Sequence, residues 1–220
     1  MSTVSHQTTN NVPEPVARVA ELMSTYGAQW SLCGGWAVDA WLGRQTREHG
    51  DIDVSVFVQD QRALFEHLGG WQLLAHDPDV PGDDGEWWDG RRRLNHPSHI
   101  HARPPELSGA MPEHGIATTE QGFALEFQID GLSGDEWILS KEPRISVPVQ
   151  RAVQQSAWGV AVAVPEVLLF FKARDLRRRD KLDFLALLPH LTDEQRDWLR
   201  SAIALVGHPW LSQLSLQREG

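Results

Sequence analysis

The chain has 220 residues, a formal net charge of −10 and 10 tryptophans, and 41% of its residues are hydrophobic. This composition can bury a sizeable core and excludes a globally disordered chain, while the acidic balance argues against a general nucleic-acid binder and suits a cationic small molecule. Cys33 is the single cysteine, which rules out an intramolecular disulfide or a thiolate zinc cluster and agrees with a reducing cytoplasm.

Met1 to Asn11 is rich in Ser, Thr and Asn and is expected to be disordered, with no apolar segment of a secretory signal. Pro13 to Met23 has helical spacing, with Val16, Val19, Ala20 and Met23 on one face, and Tyr26-Gly27 ends it. Gln29 to Cys33 reads as a short strand and Trp36 to Leu42 as a helix, with Gly34 and Gly35 at the junction. Glycines there permit unusual backbone angles and the close approach of a ligand, and N–H groups at a helix start attract phosphate. Taken alone, the pair is equally consistent with an ordinary turn. The polar turn from Gly43 to Gly50 carries Arg44 and Arg47, which can reach an anionic nucleotide or simply face solvent.

Asp51 to Val58 alternates apolar and polar residues, the period of a strand. Asp51 and Asp53 then share a face, roughly 6–7 Å apart at Cα. Carboxylates so placed repel each other until a divalent cation binds. Oxygen ligands suit Mg²⁺, and a pair of such ions can hold the attacking and leaving oxygens of a phosphoryl displacement. Asp60 is placed to cap a helix over Gln61 to Leu68, and Trp71 to Ala75 reads as a strand. The acidic stretch from His76 to Glu86 is dense in turn formers and reads as a solvated hairpin tip in preference to a rim that attracts a cationic acceptor. Of the adjacent Trp87 and Trp88, one is expected to pack and the other to line a pocket. Arg91, Arg92 and Arg93 read as surface charge. His96, His99 and His101 lie close together, and His99 and His101 share a strand face, but without further ligands a metal site is not expected.

In Phe123 to Asp130, Leu125, Phe127 and Ile129 face one way and Glu126, Gln128 and Asp130 the other, the pattern of a half-exposed strand. From Val164 the chain turns helical, with Pro165 at the first position and Glu166 near the positive end of the dipole. Val167 to Phe171 is apolar, and a charged run follows from Lys172 to Asp183. Thr192 is placed to cap a helix whose stripe is Leu199, Ile203 and Val206. Gly207-His208-Pro209 stops it, and Trp210, Leu211 and Leu214 begin a short final helix. The longest apolar stretch, Val160 to Phe171, is interrupted by Pro165 and Glu166 and is too short to span a bilayer, so a cytoplasmic protein is expected.

The stretch GGWAVDAWLGRQTREHGDIDV, from Gly34 to Val54, resembles the signature of the antibiotic nucleotidyltransferases, the aminoglycoside- and lincosamide-modifying branch of the nucleotidyltransferase superfamily. The resemblance implies an α+β fold, a nucleotidyltransferase-like mixed β-sheet flanked by helices with a C-terminal helical region. It also implies Mg²⁺, an NTP donor (ATP by preference), and transfer of a nucleoside monophosphate to a hydroxyl of an antibiotic-like small molecule. A third carboxylate is expected on a later strand. Glu126 matches it, although Asp is commoner there, and Asp130 is the reserve. PEVLLFFKARDLRRRDKLDF resembles the family's helical segment, which implies Lys172 as a triphosphate contact and Asp180 and Asp183 as groups that orient helices. The segment from Gly134 to Ile145 resembles a strand and turn in which Lys141 and Arg144 face substrate, although a charged hairpin reads equally well.

The expected catalytic and metal-binding set is therefore Asp51, Asp53 and Glu126, with Gly34, Gly35, Arg44, Arg47 and Lys172 on the nucleotide. The expected division is a disordered 1–11, a catalytic domain over 12–150 and a helical region over 151–220, as a monomer or homodimer. The acidic charge tips the acceptor toward an aminoglycoside over a lincosamide. The other readings are a toxin-like enzyme acting on RNA or protein, and a nucleotide-binding homologue without catalysis.

Overall fold

The computed structural model describes residues 12–77, 84–105, 125–173 and 177–215. The expectations for Met1 to Asn11 and for the centre of the acidic loop, 78–83, fall outside these residues.

Helix α1 (Glu14–Met23) leads through strand β1 (Trp30–Cys33) into α2 (Gly34–Leu42), then β2 (Ile52–Phe57), α3 (Gln61–His67), β3 (Gln72–His76), β4 (Glu86–Trp87), β5 (Ser98–Arg103) and β6 (Leu125–Ser133). There follow β7 (Glu136–Ile138), β8 (Ser146–Pro148), α4 (Val149–Ala152), β9 (Val153–Gln155) and β10 (Ala161–Ala163). Four helices end the described chain: α5 (Pro165–Lys172), α6 (Arg178–Leu187), α7 (Asp193–Val206) and α8 (Trp210–Ser215). The fold is α+β, a mixed sheet flanked by helices, as expected.

The strands run in the order β4-β3-β5-β6-β2-β1-β10-β9, with β7 and β8 branching from β6. Pairing is antiparallel except for β2 with β6 and β1 with β10. The strands β9 and β10, which lie beyond Gln150, thus extend the same sheet that carries β2. Their three-residue lengths leave no period to read in the sequence.

Register explains where the core and the site lie. Leu32, Val54, Phe127, Ile100 and Ala75 stand opposite one another across five strands, all at most 2% exposed. The next rung is Cys33, Asp53, Glu126, His101, Leu74 and Trp87. Successive residues on a strand face opposite sides, so the sheet has one apolar face and one face where polar groups gather. The apolar alternation of β2 and β6 fixes this register, because a slip of one residue would drive Asp53 and Glu126 into the core.

The helices are punctuated by their own residues. Gly43, at φ 68°, ends α2 in the left-handed region. Pro165 opens α5 with Glu166 in its first turn. Thr192 and Gln195 close a reciprocal capping box at the start of α7, and Gln195 Nε2 also donates to Glu166 at 2.8 Å, tying α7 to α5. Gly207 stops α7, and Trp210 of α8 packs back on Phe184 with ring centroids 4.2 Å apart. The Asp60 side chain makes no capping bond to α3; Val58–Asp60 forms a 3-10 turn into the helix instead. Gln61 holds that corner, donating to the Val58 and Leu94 carbonyls and accepting from the Leu94 N–H.

Candidate active site

Gly34 and Gly35 stand where β1 passes into α2. Their lack of a side chain is a steric requirement. Gly34 has φ +65°, and a Cβ there would lie 1.9 Å from Asp53 Oδ2. A Cβ on Gly35 would lie 2.4 Å from both Arg47 Nη2 and His49 Nδ1. The glycine corner is therefore shaped around one carboxylate and one guanidinium.

Asp53 on β2 lies directly across from Glu126 on the parallel neighbour β6. Gln128 Nε2 reaches both carboxylates, at 3.3 Å to Asp53 Oδ1 and 3.5 Å to Glu126 Oε2. Asp51, just before β2, is close enough for its charge to act on both. Burial, then repulsion from Asp51, pushes the Asp53 carboxyl up to about 6. Burial, then Asp53 and Asp51, pushes Glu126 up to about 7. The reserve candidate, Asp130, is turned inward: it is 6% exposed and accepts from Ser55 Oγ at 2.5 Å, and burial raises it to about 7. Asp51, Asp53 and Glu126 crowd together, with the Asp53 and Glu126 carboxyls pushed up by burial and mutual repulsion, a donor set that fits a hard divalent cation.

A second cluster stands behind the glycines. Asp183 of α6 accepts two hydrogen bonds from Arg47, at 2.9 and 3.1 Å, and pairs with Lys172 Nζ at 2.6 Å. Burial works against the Asp183 charge, but the Arg47 hydrogen bond and the Lys172 charge outweigh it and hold its carboxyl below the usual range. Asp180 pairs with Arg177. Both aspartates thus bind cationic side chains, Asp183 across to Arg47 and Lys172 and Asp180 locally to Arg177.

The local sequence pattern does not mark Asp39, Thr46 and His49 as a unit. Asp39 is fully buried in α2, accepts from the Thr46 N–H and hydroxyl, and meets His49 Nε2 at 2.5 Å. The His49 ring packs on Trp36, centroids 4.4 Å apart. This trio pins the turn that delivers Arg47 over Gly35. The signal was present as an aspartate inside the otherwise apolar Trp36 to Leu42. Arg179, one charge among many in its run, carries no local signal either; it is exposed on α6, and its charge reaches both Asp53 and Glu126.

Other candidates stand apart from this cluster. Arg44 is exposed on the turn after α2. Arg144, itself exposed, forms a two-pronged pair with Glu142, and Lys141 donates to the Phe170 carbonyl at 3.1 Å. Trp88 packs edge-on against Phe65, whereas Trp87 is 57% exposed.

The raised carboxyls set a pH dependence with a definite sign. Asp53 and Glu126 bind protons more tightly folded than unfolded, so the fold binds more protons between their ordinary values and about 6 to 7. Stability from this source is complete below the unfolded values and is lost as pH rises through that window. In EDTA, the melting temperature should fall between about pH 5 and pH 8, by a few degrees for a loss on the order of a few kcal/mol. Mg²⁺ should restore it at pH 8 and do little at pH 5. Thermal melts with and without Mg²⁺ check this; a melting temperature in EDTA that climbs across the window would contradict it.

The chain is similar to several antibiotic-modifying nucleotidyltransferases. The family model for aminoglycoside-2''-adenylyltransferase matches residues 15–72, from α1 to the start of β3. A lincosamide resistance protein from Staphylococcus haemolyticus is 26% identical over 181 residues, covering 79% of this chain and 93% of that protein. A 2''-aminoglycoside nucleotidyltransferase from Escherichia coli is 39% identical over 67 residues, covering 25% of this chain and 37% of that protein. In fold, the chain is similar to the solution structure of the antibiotic-resistance factor ANT(2'')-Ia, with a TM-score of 0.54 and 15% identity over 88% of this chain and 91% of that one. It is also similar to the crystal structure of the lincosamide antibiotic adenylyltransferase LnuA bound to lincomycin, with a TM-score of 0.52 and 19% identity over 80% and 97% of the two chains. The motif from Gly34 to Val54 and a relative matched over nearly its whole length make the chain similar to the antibiotic nucleotidyltransferases.

Proposed function

We propose that the protein transfers AMP from ATP to a hydroxyl of an aminoglycoside in a Mg²⁺-dependent reaction. The observation that carries this reading is the pairing of Asp53 with Glu126 across β2 and β6, beside Asp51 and against a glycine corner with no room for a Cβ. In this reading Asp51 and Asp53 hold Mg²⁺, which when bound would neutralise charge on the triphosphate. Gly34 and Gly35 offer backbone N–H groups at the start of α2 to the phosphates. Arg47 and Lys172 add positive charge there, fixed in place by Asp183. Arg179 adds charge from the exposed side, while Arg44 stands apart on the turn after α2. Glu126, with its longer side chain and raised pKa, takes the proton of the acceptor hydroxyl. The hydroxyl oxygen bonds to the α-phosphorus as the bond to the bridging oxygen breaks, releasing pyrophosphate. Positioning and charge complementarity supply most of the rate.

The net charge of −10 favours a polycationic acceptor. A second reading, a lincosamide acceptor, is favoured by the likeness to the lincosamide resistance protein over 93% of that relative. No described helix is long and apolar enough to cross a membrane, and a cytoplasmic enzyme, monomeric or homodimeric, goes with either reading. The test is mass spectrometry of an aminoglycoside and lincosamide panel after incubation with each NTP, with Mg²⁺ or EDTA. The expected product is a mono-adenylylated aminoglycoside formed only with Mg²⁺. Adenylylation confined to lincosamides would select the second reading, and no adduct with any pair would overturn both.

A further inference from the structure

Three imidazoles converge on the polar face of the sheet, next to the carboxylates. His99 and His101 occupy alternate positions of β5, and His76, at the end of β3, stands directly opposite His99. One ring nitrogen from each lies within 4.8 Å of the other two. The His76 and His99 rings stack at 4.8 Å with 8° between their planes, and His101 stands edge-on to both, at 4.8 and 5.2 Å. All three are half-buried. His76 Nε2 is out of solvent and has no hydrogen-bond partner among the described residues. Gly85 passes over the His76 ring, where a Cβ would come within 2.5 Å of Cε1, so the ring is held against the sheet.

We propose that His76, His99 and His101 bind one transition-metal ion of the Zn²⁺ class, at a site separate from the oxygen-ligand carboxylates. Three imidazoles are a borderline donor set that takes Zn²⁺, Co²⁺, Ni²⁺ or Cu²⁺ and leaves Mg²⁺ to oxygen. In a tetrahedral site with bonds of about 2.0–2.1 Å, the nitrogens stand roughly 3.3–3.5 Å apart. Small side-chain rotations close the difference without moving the strands. His101 Nδ1 lies 3.5 Å from Glu126 Oε1. A carboxylate beside a ligating imidazole is the usual support of such a site, and here that carboxylate is also the one across from Asp53. Occupancy by Zn²⁺ is therefore felt at Glu126. The fourth position is left to water or to a donor atom of a bound small molecule.

The experiment is calorimetric titration of untagged, metal-free protein with Zn²⁺ in excess Mg²⁺, with Co²⁺ absorption as a second probe. The expected result is one equivalent bound, with ligand-field bands of a low-coordinate Co²⁺ site that Zn²⁺ abolishes and Mg²⁺ does not. The double variant His76→Ala/His99→Ala should weaken Zn²⁺ binding by about a hundredfold or more. Asp53→Asn, which alters the carboxylate site, should leave that binding within a few-fold. In the unaltered protein, NMR of the histidine ring nitrogens should show Zn²⁺ shifting these three residues and sparing His96, so the reading does not depend on the variant folding. Absence of binding, binding that survives the double variant, or shifts at other histidines would each overturn it.

Discussion

Replacing Asp53 with Asn should cut turnover by at least about a thousandfold, roughly 4 kcal/mol of transition-state stabilisation, while leaving the fold intact. An amide keeps the shape and the contact with Gln128 Nε2 but cannot supply a negative charge to a cation. Because burial and Asp51 already push the Asp53 carboxyl up to about 6, the neutral side chain also relieves repulsion. At pH 8 without a divalent cation, the variant should therefore melt at the same temperature as the parent or higher. Mg²⁺, which should stabilise the parent there, should stabilise the variant much less. Pyrophosphate release and paired thermal melts measure both halves. Loss of activity together with loss of folding would assign Asp53 a structural role, and undiminished turnover would remove it from the site altogether.

Removing Asp183 should do the opposite, striking stability first. Its side chain is 1% exposed and holds both the Arg47 guanidinium and the Lys172 ammonium, the latter 9% exposed at the side chain. Asp183→Ala leaves two cations facing each other with little solvent to screen them, at a cost of about 3–5 kcal/mol. Asp183→Asn keeps some hydrogen bonding but no charge and should fall between. Adding Lys172→Met to Asp183→Asn should recover part of the loss, since one buried charge then goes with its partner. Denaturant unfolding of the four proteins reads these differences directly. A cost under about 1 kcal/mol for Asp183→Ala would mean that solvent reaches the cluster and that the anion is not what holds it.

The parts of the site that could be read in the sequence are those written in a period or a corner. The alternation in Ile52 to Phe57 and Leu125 to Ile129 placed Asp53 and Glu126 on the polar side of their strands, and the parallel pairing of β2 with β6 then set them side by side. Gly34 was legible as a junction, but not the reason for it, since the carboxylate that would meet its Cβ arrives from another strand. Contacts between distant segments were not legible. Lys172 and Asp183 were both singled out, yet nothing in their spacing revealed that Arg47 joins them. His99 and His101 were seen to share a face, but their partner His76 sits across an antiparallel pairing whose register the sequence does not state. The short strands β9 and β10 are not legible because three residues carry no period, and Asp60 has the look of a cap because capping residues also serve 3-10 turns.

Arg47 and Asp183 are 136 positions apart in the chain, yet they form a single fastening. Recombination between relatives is constrained by this. A crossover anywhere between the two would import the motif with a foreign anchor, or the anchor with a foreign motif. Chimaeras that inherit both ends from one parent should fold and work; those that mix them should require a compensating change at one end before either property returns.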